Sequence, residues 1–291
     1  MVGTDQVVAI IAAGGVGSRM GEATGQSRGK QLLDVAGRPL AGWAVQAVSD
    51  VPSVDRVIVV CDPQRVEEYA VALTDCVAGD TPLSFAAGGK TRADSVYNGL
   101  EALDGEALDG EALDREALDG EALGREKTDG EALDREALYG EGADRSRTRA
   151  NPIVLIHDGA RPLATPALME AMIHAFVADP SADGMVIGHP CSDTIKHIDG
   201  MRVIDTPPRA QYWAVQTPQI FRRDTLLEAY STARFSDSEV TDDASLVEQA
   251  AGRVVVYLGP RDNIKVTGPE DVAFVEAALR ERNQDAHRHG I

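Results

Sequence analysis

The chain has 291 residues, 43% of them hydrophobic but only 4% aromatic, so one large domain or two small ones must be cored by Val, Ala, Leu and Ile. A net charge of −19 makes it a poor general binder of nucleic acid or anionic membrane, so an anionic substrate has to be held by a local cluster of cations. Cys61, Cys76 and Cys191 are odd in number and show no C-x-x-C spacing, which fits reduced thiols in a cytoplasmic protein; no signal peptide and no membrane-length apolar run is read.

In chain order, Val7–Ile11 is the first apolar run and predicts a buried strand. It opens into A-G-G-V-G-S-R-M (13–20) and then G-K-Q-L-L (29–33). Glycines let the backbone approach a ligand closely, and successive N–H groups can form an anion nest. Arg19 and Lys30 add two fixed positive charges, a combination suited to a polyphosphate. It is not a P-loop, because Lys30 is followed by Gln31, nor a dinucleotide fingerprint, because the third glycine position falls on Met20. Downstream, strands are predicted at Arg56–Val60, Leu83–Ala86, Ile153–Ile156, Met185–Gly188 and Arg253–Leu258. Helices are predicted at Pro63–Leu73, Thr91–Leu100, Thr165–Ala178 and Pro269–Arg280. Strand–helix alternation predicts an α/β fold, a mostly parallel twisted sheet with helices on both faces. In such sheets ligands bind beyond the carboxyl ends of the strands. Gly14–Arg19, Gly88-Gly89 and His157–Arg161 all follow predicted strands.

Residues 101–145 repeat with a period of five, as EALDG, EALDG, EALDR and further near-copies. The 101–150 segment holds 16 Asp/Glu against 7 Lys/Arg, and so carries −9 of the net −19. Five residues advance a helix by about 500°, so successive leucines fall about 140° apart and form no apolar stripe. In a strand an odd period sends them to alternate faces. The segment therefore reads as an acidic low-complexity insert, disordered or transiently helical, within one domain spanning 1–291.

The stretch Asp193–Gln219 breaks the alternation. Ile195, His197, Met201 and Val203 flank an Asp-Gly turn, which predicts a β-hairpin arm over 193–213. A hairpin projecting from an α/β domain is a natural dimer arm. Asp242 and Asp243 read as a helix N-cap before Ala244, and His157, directly after a strand, as a packed structural histidine.

Several motifs occur together and in order: A-G-G-V-G-S-R-M, G-K-Q-L-L, G-G-K-T-R-A-D-S-V-Y-N-G-L (88–100), H-D-G-A-R-P (157–162), D-T-I-K (193–196), A-V-Q-T-P-Q (214–219), T-D-D-A-S (241–245) and D-N-I-K-V-T (262–267). Over nearly all of the chain except 101–150, they resemble the 2-C-methyl-D-erythritol 4-phosphate cytidylyltransferase family of the non-mevalonate isoprenoid pathway. The resemblance implies a Rossmann-like nucleotidyltransferase fold, transfer of CMP from CTP to a polyol phosphate with release of pyrophosphate, a homodimer, and Mg²⁺ held mainly by the CTP phosphates. Arg19 and Lys30 match the family's transition-state cations. Arg209 and Lys265 match the residues that position the substrate phosphate, and Thr194 the threonine that contacts that phosphate across the dimer arm. Ala13, Gly14, Gly15, Gly17, Gly89 and Ser95 match the nucleotide-binding backbone and the cytosine reader. Asp158 and Arg161 match the ribose and Mg²⁺–phosphate region, with Asp158 as the candidate metal contact.

The chain departs from the family pattern at Gly14, in place of alanine, and at Gly29, in place of proline. The loop from Arg19 to Lys30 is longer than usual, and the acidic repeat replaces a short connection. The alternatives are a ribitol-5-phosphate cytidylyltransferase of the same fold, or an inactive binding or scaffold protein working through the repeat.

Overall fold

The computed structural model describes residues 5–14, 29–103, 108–109, 151–233 and 242–289. At its centre is an eight-stranded sheet. In chain order the strands are β1 (Val7–Ala12), β4 (Arg56–Cys61), β5 (Leu83–Ala87), β6 (Leu108–Asp109), β7 (Ile153–Asp158), β8 (Gly184–Pro190), β11 (Trp213–Arg222) and β12 (Val254–Leu258). They lie in the order β12-β8-β11-β7-β1-β4-β5-β6. β1 pairs parallel with β4 and β7, β4 with β5, and β8 with β12. β11 runs antiparallel between β7 and β8, and β6 antiparallel on β5. The sheet is therefore mostly parallel, as the alternation predicts.

The central strands are apolar without a break because both faces are covered. Val7, Ala9 and Ile11 of β1 enter one core cluster with Val57, Val59, Ile153 and Leu155. Val8 and Ile10 enter a second, on the opposite face, with Ile58, Val60, Val154 and Ile156. Each buried Val, Leu or Ile among them contributes about 1.5–3 kcal/mol of transfer free energy. The first face is covered by α1 (Leu40–Ser49), α2 (Val66–Leu73) and α4 (Pro166–Ala178). The second is covered by α3 (Arg92–Glu101), α5 (Arg223–Ala233) and α6 (Asp243–Gln249). The last helix, α7 (Pro269–His289), packs Val275 and Leu279 beside Val35, Leu40 and Leu163. Val35 belongs to a small two-stranded ribbon of β2 (Asp34–Val35) and β3 (Arg38–Pro39).

The expected arm is a separate two-stranded antiparallel sheet of β9 (His197–Asp199) and β10 (Arg202–Asp205), with Gly200 at φ +55° supplying the left-handed turn. Its apolar side chains are exposed: Ile198 at 59%, Met201 at 101% and Val203 at 51%. Of the acidic repeat, the described part begins as core. Helix α3 runs to Glu101, Ala102 and Leu103 pack against the second cluster, and Leu108-Asp109 pairs with Phe85 and Ser84 at the sheet edge. The rest of the repeat lies outside the described residues, as do Gly15, Gly17 and Arg19. No helix among the described residues is long and apolar enough to cross a membrane.

Candidate active site

The carboxyl ends of β1, β4, β5 and β7 meet along one edge of the sheet. The chain leaves β1 through Ala13, whose N–H donates to the Val60 carbonyl at 2.8 Å, and Gly14 follows beside Ser95. Leaving β5, the Gly88 N–H donates to the Cys61 carbonyl, and the Gly89 N–H donates to Ser95 Oγ at 3.0 Å. Ser95 Oγ donates in turn to the Thr91 carbonyl at 2.9 Å, so the expected base reader also ties the loop to the helix. A β-carbon at Gly89 would stand 2.1 Å from Cβ of Asp94, so only glycine lets the loop lie this close. Helix α3 starts there on a capping box, with Thr91 accepting from the Asp94 N–H and Asp94 accepting from the Thr91 N–H.

Asp158, the last residue of β7, is almost fully buried among three cations. Lys265 Nζ lies 2.8 Å and Arg161 Nε 3.6 Å from its Oδ2, and Arg92 Nε donates to its Oδ1 at 3.3 Å. Burial pushes this carboxyl up, but Arg92, Lys265 and Arg161 more than reverse that and hold it well below the usual carboxylate range. Arg92 itself begins α3, and its Nη1 lies 2.7 Å from Oδ2 of the buried Asp243. The Tyr230 hydroxyl donates to the other oxygen of Asp243 at 2.6 Å. Of the two aspartates expected at the N-cap, Asp242 does cap α6, accepting from the Ser245 N–H. Asp243 does not: it is the buried partner of Arg92 and Tyr230.

A buried polar network fixes the backbone around Asp158. The Asp158 N–H donates to Thr217 Oγ1 at 2.9 Å, and that hydroxyl donates to His157 Nδ1 at 3.1 Å. This leaves the proton of neutral His157 on Nε2, which donates to the Arg161 carbonyl at 3.0 Å. Burial pushes the imidazole down to about 4. His157 is thus a structural histidine, as expected, although it lies within β7 rather than after a strand. Arg161 Nη1 donates to the Asn263 carbonyl at 2.8 Å, and Asn263 Nδ2 donates to the Thr217 carbonyl at 2.9 Å and to Gln216 Oε1 at 3.1 Å.

Lys30 opens a short 3₁₀ turn and donates through Nζ to the Val266 carbonyl at 2.7 Å, one residue beyond Lys265. Lys30, Lys265, Asp158 and Arg161 therefore converge from positions more than 200 residues apart. Thr194 and Arg209 do not join them through any described contact. They sit at the foot of the arm, where Arg209 Nη1 donates to the Ser192 carbonyl at 2.6 Å, and both are exposed. A separate cleft of about 640 Å³, lined by Leu32, Asp34, Pro39, Glu67, Glu68 and Val71, presents carboxylates and is unsuited to a polyphosphate.

The sequence profile of the 2-C-methyl-D-erythritol 4-phosphate cytidylyltransferase family matches residues 7–111 and 145–281. The chain belongs to that family. It is a nucleotidyltransferase of isoprenoid precursor biosynthesis, a 2-C-methyl-D-erythritol 4-phosphate cytidylyltransferase. It is 34% identical over 274 residues to the enzyme of that name from Microcystis aeruginosa, covering 94% of this chain and 98% of the relative. The Pelotomaculum thermopropionicum enzyme is 32% identical, covering 96% of each chain. The crystal structure of 4-diphosphocytidyl-2C-methyl-D-erythritol synthase from Anaerococcus prevotii superposes with a TM-score of 0.67 at 26% identity, over 95% of this chain and 96% of that one. Residues 112–144 fall outside the family match, so the cytidylyltransferase sequence reaches further into the repeat than its period suggests. Ribitol 5-phosphate appears in none of these names.

Arg92, Thr217 and Asn263 were not singled out from the sequence, and Asp243 only as an N-cap. The available signal was Arg92 itself, a cation in the first turn of a helix, where the macrodipole disfavours it unless anions surround it.

Proposed function

We propose that the site performs in-line phosphoryl transfer with no side-chain nucleophile. A phosphate oxygen of the polyol attacks the α-phosphorus of CTP, the new P–O bond forms, and the bond to the β-phosphate breaks as pyrophosphate leaves. Lys30 and Arg19 stabilise the charge on the phosphoryl oxygens, which is greatest in the transition state. Ala13, Gly14, Gly15, Gly17, Gly89 and Ser95 shape the nucleotide cleft, and Arg161 and Asp158 orient its ribose and phosphates. Lys265 holds the polyol phosphate. Thr194 and Arg209 reach that phosphate from the arm of the partner protomer, which is why they stand apart from Lys265 within one chain and why the arm exposes apolar residues.

Among the described residues no group of three or more Asp, Glu, His or Cys could cage a metal. Asp158, whose oxygens are shared among Arg92, Lys265 and Arg161, would contact a Mg²⁺ only in exchange for Lys265, the ion taking most of its ligands from phosphates and water. Bound there, Mg²⁺ supplies charge neutralisation across the nucleotide phosphates. The enzyme acts as a cytoplasmic homodimer on small anionic substrates, without nucleic acid or membrane.

The observation that supports this best is the convergence of Lys30 and Lys265 on the strand ends around Asp158. It is tested by pyrophosphate release with CTP, Mg²⁺ and methylerythritol phosphate. Lys30→Ala is expected to lower kcat by about 10²–10³ with little change in CTP affinity. Lys265→Ala is expected chiefly to raise the KM for the polyol phosphate. Near-normal turnover by Lys30→Ala would refute the assignment, as would no turnover of methylerythritol phosphate by the wild type.

A further inference from the structure

Arg92 touches neither Lys30 nor the glycine-rich segment by any described contact, yet it is one of the three cations committed to Asp158. It spans two carboxylates, Asp158 through Nε at 3.3 Å and Asp243 through Nη1 at 2.7 Å, and its Nη2 is buried without a hydrogen-bond partner. Its position opens α3, against the helix dipole, so its placement depends on those two anions. Asp243 is fully buried and fixed in turn by the Tyr230 hydroxyl at 2.6 Å. The two oxygens of Asp158 are divided: Oδ1 goes to Arg92, and Oδ2 to Lys265 and Arg161.

We propose that Arg92 is a positioning residue that apportions the Asp158 carboxylate: anchored on Asp243 and Tyr230, it satisfies Oδ1 and so leaves Lys265, on Oδ2, releasable to the incoming polyol phosphate. Without Arg92, a nearly buried carboxylate loses one of its three counter-charges and binds the remaining two harder. Lys265, at 40% exposure the most solvent-accessible of the three, is then held back from substrate. The nucleotide contacts made by loop backbone are not affected in this way. Arg92 therefore controls the KM of one substrate rather than of both.

This rests on the assignment of Lys265 to the polyol phosphate, and the test separates the two. Steady-state constants for both substrates are measured for wild type, Arg92→Gln, Lys265→Ala and the double variant. Arg92→Gln is expected to raise the polyol-phosphate KM about tenfold, within the usual coupling of residues that share a network, and the CTP KM less than twofold. In the Lys265→Ala background the same substitution should change the polyol KM less than twofold, because nothing is left to release. If Lys265→Ala leaves the polyol KM unchanged, the assignment of Lys265 fails. If Lys265→Ala raises it but Arg92→Gln does not, or raises the CTP KM equally, or adds its full effect in the double variant, the positioning role alone is overturned. Should Arg92→Gln not fold, Tyr230→Phe releases Asp243 to draw Arg92 away from Asp158. It must raise the polyol KM at least twofold, with CTP KM unchanged, or the proposal falls.

Discussion

Removing the titration of His157 should remove a defined part of the acid lability of this enzyme. The imidazole is fully buried, accepts from Thr217, donates to the Arg161 carbonyl, and sits at about 4 instead of 6.5. Below pH 6.5 the unfolded chain binds a proton here that the folded chain refuses. Folding is therefore favoured fully above 6.5 and progressively less as pH falls toward 4. The slope inside that window is about 1.4 kcal/mol per pH unit and the whole loss about 3 kcal/mol. The Asp158 carboxyl, held below its usual range by Arg92, Lys265 and Arg161 against its burial, adds a second loss that begins only near pH 4 and continues below it. Urea unfolding between pH 7.5 and 4, for wild type and His157→Gln, isolates the first effect. The glutamine variant should be less stable at neutral pH, with the gap closing by about 3 kcal/mol between pH 6.5 and 4. A gap that stays constant across that window, or opens as pH falls, would refute the assigned burial and tautomer of His157.

Three further outcomes follow from the geometry. Gly89→Ala forces the start of α3 away from the loop, because its β-carbon would overlap Asp94; it should cost about 1–3 kcal/mol and raise the CTP KM more than the polyol KM, read by unfolding and steady-state kinetics. If the arm completes the partner's site, equal mixing of Arg209→Ala and Lys265→Ala protomers, assayed at polyol phosphate far below the raised KM of each, should restore about a quarter of wild-type activity through mixed dimers, whereas a site built from one chain would restore none. Deleting 112–144 with a short Gly/Ser joint should leave kcat within about twofold, since closing a loop depends only weakly on its length. Extending the deletion back to 101 should destabilise the fold, because Leu103 packs on the core and Leu108 pairs with Phe85.

What was legible in the sequence was whatever a single segment could show. The parallel strands announced themselves because both faces are buried, so β1, β4 and β7 read as unbroken apolar runs. Helices α3 and α4 showed their starts through Thr91 and Thr165, whose side chains do cap them. Helix α1 went unread because it begins after Pro39, with no side-chain cap. The long strand β11 was hidden by Pro218, which ordinarily argues against a central strand. The sheet accommodates it where the β8 register shifts between Gln216 and Gln219. At the site, motif order was enough to nominate Lys30, Asp158, Arg161 and Lys265. The second tier, Arg92 to Asp243 and Thr217 to His157, joins residues 60 or more positions apart through buried polar contacts that have no periodicity to read.

If the arm joins two protomers, the placement of β11 ties assembly to chemistry. The strand begins at Trp213, at the foot of the arm, and four residues later presents Thr217 to His157 and Asp158. At roughly 3.3 Å per residue these points are about 13 Å apart along the strand, which is paired with β8 from Trp213 to Gln216. A load applied at the arm is carried along this run to the register shift between Gln216 and Gln219, where Thr217 meets the floor of the pocket. In a dimer joined through this arm, dilution should therefore make protomer separation and inactivation trace a single curve.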